Sequence, residues 1–268
     1  MEREAPLAEP AVDAGVAAFA ARPILAVATG VAAVLIAVSA RYGYHRDEMY
    51  FLAAGRHLAW GYPDQPPLVP LLARAISAIA PGSLTLLRLP SAVAAGAIVF
   101  FTGLTTRELG GRRSAQILAS VAMAGAAVLL GAGHLLSTAT FDLLAWSALL
   151  WLIMRFLRTD EQRLWVVVGL IAGIGLLDSD LVAFLIAAVL VGIPLTGPRP
   201  VFRSPWLWIG GVAAAMWSPY LFWQAGHGWP ELKSAERSRR GDRGRPPPVP
   251  YSCSPNSASS VPTSRRSG

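Results

Sequence analysis

Residues 164–195, LWVVVGLIAGIGLLDSDLVAFLIAAVLVGIPL, admit two folds. Read as one element they make a single long apolar helix. Read with a break at Asp178-Ser179-Asp180 they make two short helices that turn back on each other. Each half is short for the roughly 30 Å hydrocarbon core of a bilayer. The flanking arginines decide. Arg107, Arg112 and Arg113 share one short connection, Arg155, Arg158 and Arg163 a second, Arg199 and Arg203 a third. A hairpin at 164–196 puts all three connections on one side of the membrane, as the positive-inside rule asks of cytoplasmic loops. A single crossing would carry the third outside. The charges select the hairpin.

Working outward, further apolar runs lie at 23–40, about 89–105, 115–135, 139–157 and 204–223. With the hairpin they predict an all-α polytopic membrane protein of seven transmembrane helices. Composition agrees, with a mean hydropathy of +0.47 and only 15% charged residues where soluble domains carry about a quarter. The topology divides the chain into a cytoplasmic segment 1–21, a membrane domain 22–232 containing a long outer loop 41–88, and a tail 233–268. Val38-Ser39-Ala40 resembles a peptidase site, which makes a cleaved leader the competing reading of the first run. The length of the preceding segment and the spans that follow favour an uncleaved anchor. Within the outer loop, PPLVPLLARAISAIA (66–80) is too short for a span, and its helical spacing suits a helix lying at the interface.

A basic chain invites a nucleic-acid reading, but the charge sits in the wrong place. The tail 233–268 holds eight Lys/Arg against two Asp/Glu, and the other residues hold 15 against 14. Nucleic acid is therefore excluded as a partner. The tail, rich in Arg, Ser, Pro and Gly, cannot bury enough surface to fold and is expected to be disordered. It reads either as a natural tail or as the out-of-frame product of GC-rich DNA beyond codon 232. The single cysteine, Cys253, lies there too and leaves the membrane domain without a thiol.

The outer loop opens with RYGYHRDEMYF (41–51), in which Arg46, Asp47 and Glu48 are adjacent. A carboxylate at a membrane surface can take a proton from an attacking hydroxyl, and a nearby arginine can stabilise a departing phosphate. The alternative is an interfacial loop of solvated charges and belt aromatics. Elsewhere, Asp142 is an acid buried at span depth, which needs a partner or water. His134 ends a span, where a water-facing histidine is common, and His227 reads as a loop residue.

This loop resembles the first outer loop of glycosyltransferase family 39 and the related protein mannosyltransferase-like enzymes of the membrane-embedded C superfold. The matching elements are Asp47-Glu48, the aromatic run to Tyr62, and Pro66-Pro67-Leu68; GHLLSTATFDLL (133–144) and SPYLFWQAGHGWP (218–230) resemble the same family. The resemblance implies a polyprenyl-phosphate sugar donor, inversion at the anomeric carbon, and a lipid, protein or glycan acceptor at the outer face of a bacterial inner membrane. It implies Asp47 as the catalytic base and Glu48 as its partner. The candidate substrate-binding residues are Arg46, Tyr50, Arg56, His57, Asp64, Gln65, His134 and Asp142.

Two features depart from the family. Asp178 and Asp180 stand where a basic or amide residue is usual, and they would repel a donor phosphate unless a divalent cation bridged them. That cation is the one cofactor the sequence leaves open. The family also continues through further spans where this sequence has its basic tail, so low activity or an inactive remnant is one expectation. A transporter or flippase of lipid-linked or anionic solutes is the reading from another class. It calls for internal repeats around a midplane site, and no repeat is visible.

Overall fold

The computed structural model describes residues 16–196 and 199–239, and all regular structure among them is helical. Two units are distinguished, residues 1–231 and 232–268. In the first, α1 (Ala21–Val38) packs along α4 (Leu84–Glu108), and α7 (Thr138–Thr159) packs on another side of α4. Small residues set the closeness of the first contact. At Gly96 an added Cβ would stand 2.8 Å from the Ala28 carbonyl oxygen, so the two backbones nearly touch. Ala28, Leu35, Ala92, Ala95, Ile98 and Leu129 fill the core around that crossing.

The segment 164–195 folds as a hairpin. Helix α8 (Leu164–Leu176) and α9 (Leu181–Thr196) run antiparallel: Val182 contacts Gly175 at the join, while Ile193 clusters with Trp165 at the far end. α10 (Pro205–Ala214) then runs parallel to α8 in backbone contact, with Gly169 against Gly210 and Gly173 against Ala213 and Ala214. The arginine connections accordingly meet at one end of the unit. Glu108 takes a hydrogen bond from Arg158 and lies 4.0 Å from Arg155, while Arg163 stacks over Trp206 just beyond Arg203.

The helices are shorter than seven crossings require. Among the described residues three, Ala21–Arg41, Leu84–Glu108 and Thr138–Thr159, are long and apolar enough to span a membrane. A fourth is reached if α5 (Arg113–Ala124) and α6 (Ala127–Gly133) count as one span bent by 56°. Gly125 closes α5 and Ala126 is extended, which makes the bend. α8 has 13 residues, about 20 Å at 1.5 Å per residue. The run expected at 204–223 is divided by a 3-10 turn at Ala215–Trp217 before α11 (Ser218–Gly226), where Pro219 has no N–H to continue the ladder. The protein is a multi-pass membrane protein, and large apolar side chains such as Phe184, Val212 and Phe222 remain more than two-thirds exposed on its flanks.

The segment 41–88 contains α2 (Arg46–Arg56) and α3 (Leu68–Ile79). α3 buries Val69, Pro70 and Ala73 against α2 and α4. Of the second unit, the described residues belong to the polar helix α12 (Pro230–Arg239), so 233–239 are helical rather than disordered. Residues 240–268, with Cys253, and most of the N-terminal segment lie outside the described residues.

Candidate active site

One end of the first unit collects the acids that the sequence singles out, and its anchor is a buried ion pair. α2 starts at His45, whose Nδ1 accepts from the Asp47 N–H (3.3 Å) while the Glu48 carboxylate accepts from the His45 N–H (2.9 Å). This reciprocal cap fixes the first turn. A step of 100° per residue then sends the two acids to different environments. Glu48 turns inward and is fully buried; the Asp47 side chain is 48% exposed.

Glu48 is held by Arg88, one turn inside α4. The guanidinium donates from Nε to Oε1 and from Nη2 to Oε2, both at 2.7 Å, a bidentate pair at 1% exposure. The same guanidinium donates to the carbonyls of Gly43 (2.8 Å) and Ser39 and lies 4.1 Å from the centre of the Tyr42 ring. The Leu136 N–H donates to Glu48 Oε1 at 3.2 Å, and Tyr42 donates its hydroxyl proton to the His134 carbonyl at 2.8 Å. Arg88 and Glu48 thereby join the end of α1, the start of α2, α4 and the loop before α7. Burial alone would raise the Glu48 pKa. Hydrogen bonds from Arg88 and from the His45 and Leu136 N–H groups outweigh it and hold the carboxyl below its usual range.

Around Asp47 the surface stays open. Arg46, 89% exposed, donates from Nε to Asp47 at 3.3 Å. Tyr50, one turn along the same face, donates its hydroxyl proton to Asp64 at 2.6 Å. Burial and this carboxylate push the Tyr50 hydroxyl far above its ordinary range. Gln65 is buried, its carbonyl accepts from the Tyr62 N–H at 3.0 Å, and its side-chain Nε2 has no partner. The Pro66-Pro67-Leu68 element docks on the α8–α9 join, where the Leu68 N–H donates to the Leu177 carbonyl at 2.9 Å.

The remaining sequence candidates are dispersed. His57 and His134 are exposed or half-exposed and close helices, their carbonyls taking the hydroxyls of Tyr62 and Tyr42. Arg56 lies across α2 from Asp47. Asp142 stands near Ser179, Trp146 and Asp178 rather than beside α2. Asp178 is 1% exposed with both carboxylate oxygens unpartnered, at one end of an apolar cavity of about 300 Å³ walled by Leu68, Phe101, Phe141 and Ile171. Asp180 turns the other way and accepts from the Tyr220 hydroxyl (3.3 Å), which also contacts Glu231 and takes a bond from Gln224 (2.7 Å). The two acids thus face different neighbours. Among the described residues no three His, Cys, Asp or Glu side chains gather in metal-binding geometry.

Arg88, Tyr220, Gln224 and Glu231 are structural partners the sequence reading passed over. Arg88 carried a signal: a lone cation among the apolar residues of LTLLRLP, at bundle depth, needs a partner.

A family model described as dolichyl-phosphate-mannose-protein mannosyltransferase matches residues 64–223. That stretch is more than half of the chain and starts at Asp64, after the Asp47-Glu48 turn. No curated protein and no solved structure matches the chain.

Proposed function

The chain belongs to the dolichyl-phosphate-mannose-protein mannosyltransferase family, and from that premise we propose an inverting transfer of a sugar from a polyprenyl-phosphate donor, with Asp47 as the base. The acceptor hydroxyl attacks the anomeric carbon on the face opposite the phosphate. Asp47 takes its proton as the new C–O bond forms, and the polyprenyl phosphate departs with the electron pair of the old one. Arg46 supplies positive charge beside the base. Tyr50 and Asp64, locked together, border the same face. Glu48 is a positioning residue, since its carboxylate is sealed from solvent and saturated by Arg88 and two backbone N–H groups.

The observation that carries this reading is the splitting of the Asp-Glu pair. The buried carboxylate is spent on Arg88, and the exposed one stands at a helix start with an arginine at 3.3 Å. The reaction belongs at the outer face of a bacterial inner membrane, with the N-terminus and the arginine connections on the cytoplasmic side. The acceptor is a lipid, protein or glycan hydroxyl. Arg56, on the opposite side of α2, and Asp142, beside Ser179 and Trp146, have no direct part in the step.

The test uses the full chain in proteoliposomes loaded with a polyprenyl-phosphate sugar and acceptor extracts. The expected result is a new glycoside and free polyprenyl phosphate in equal amounts. Donor relocated across the bilayer with no glycoside formed would replace the transferase with a transporter.

A further inference from the structure

A second arginine site lies on the far side of α2. Nine positions separate Asp47 from Arg56, half a turn around the helix after whole turns are removed. There α2 crosses α3 at Gly55, where a Cβ would stand 2.8 Å from the Pro70 carbonyl oxygen and 3.3 Å from the Arg74 Cβ. Only glycine permits that approach. It brings Arg56, the next residue, and Arg74 to the walls of one cleft of about 530 Å³, with Tyr44 and Ser77 contributing hydroxyls. Among the described residues neither arginine has a carboxylate partner, whereas Arg46, Arg88, Arg107, Arg155 and Arg158 all do.

The surroundings specify the ligand. Met49, on the cleft wall, is 54% exposed, and α3 presents Leu71 at 50% one turn before Arg74 and Ile79 at 82% at its end. An amphipathic helix with apolar residues outward and an arginine among them lies in an interface, its apolar side chains among acyl chains and its cation at headgroup level. An arginine fork matches phosphate oxygens in geometry as well as charge. We propose that the α2–α3 cleft holds the phosphate of an anionic membrane lipid between Arg56 and Arg74, as a site separate from the Asp47 face. The inference rests on the membrane setting and not on sugar transfer, so its test has no transfer readout.

The test places the full chain in nanodiscs of phosphatidylcholine containing phosphatidylglycerol and counts retained lipids by native mass spectrometry. A basic residue near an anionic surface is worth about fivefold in binding. Arg56→Gln/Arg74→Gln is therefore expected to lower phosphatidylglycerol enrichment by more than about tenfold, each single variant giving part of the loss. Arg41→Gln removes one charge from the same end of the molecule outside the cleft and is expected to change enrichment less than about twofold, against the larger loss of either single cleft variant. Unchanged enrichment in the Arg56/Arg74 variants, or a loss in Arg41→Gln equal to that of a single cleft variant, would overturn the proposal. In a third arm, glycerol 1-phosphate competes with the lipid. Full displacement by this soluble phosphate would assign the cleft to a free anion and overturn the lipid source.

Discussion

Each end of the first unit buries a glutamate among arginines, and the two do so differently. At the acid end Glu48 has one cationic partner among the described residues, Arg88, bidentate at 2.7 Å with both side chains at 1% exposure or less. At the arginine end the Glu108 side chain is also fully buried, but Arg107, Arg155 and Arg158 share it while remaining 26–34% exposed. The first arrangement is sealed and has no substitute. The second is redundant and wet. A sealed pair fixes geometry, which suits the end where a loop must hold an acid in position. A surplus of partly solvated cations suits the end that the positive-inside rule expects on the cytoplasmic side.

The largest expected effect comes from breaking the sealed pair. Arg88→Ala leaves Glu48 charged and uncompensated in the interior, a loss of about 3–5 kcal/mol. The variant should melt far below the parent in detergent or fail to accumulate. A melting temperature within a few degrees of the parent's would show that the pair is no strut.

Acid probes the same pair more gently. The folded-state pKa of Glu48 lies below its unfolded value. Its contribution is therefore complete above about pH 4.3, the ordinary glutamate value, and is lost as pH falls through the lower folded value. Thermal stability should stay level from pH 7 to about 5 and fall below about 4. A Glu48→Met/Arg88→Met chain, with nothing to titrate there, should lose that step; retaining it would place the acid sensitivity elsewhere.

The smallest effect is expected at the other end. Arg158→Gln removes one of three cations around Glu108, and being about a third exposed it should cost about 1 kcal/mol or less and weaken with salt. A loss as large as that of Arg88→Ala would erase the distinction between the ends.

Much of this architecture was legible in the sequence because it follows from charge and hydropathy. The grouping of Arg107, Arg155 and Arg163 chose the hairpin at Asp178, and α8 and α9 do turn back there with those arginines at one end. The short helix expected in 66–80 is α3. Hydropathy could not supply lengths. The runs 115–135 and 204–223 average as apolar spans while Gly125 and Ser218-Pro219 break their hydrogen-bond ladders.

The candidate site was legible as a cluster and not as a division of labour. Adjacent letters carry no orientation until the cap at His45 sets the phase of α2 and sends Glu48 inward. Arg88 was read as the end of a loop, since its place inside α4 depends on the cap at Ser83, five residues earlier.

The central claim is that the exposed member of the Asp47-Glu48 pair does the chemistry and the buried one holds it in place. Sugar transfer and thermal melting measured together on Asp47→Asn test it most directly. The side chain stays isosteric, and an exposed carboxylate paired, among the described residues, with Arg46 and His45 supports little of the fold. The expected result is a melting temperature unchanged from the parent and transfer from the polyprenyl-phosphate donor lowered by about 10²–10⁴-fold, the range for loss of a general base. Transfer at the parent's rate with the fold intact would contradict the claim and remove Asp47 from the mechanism.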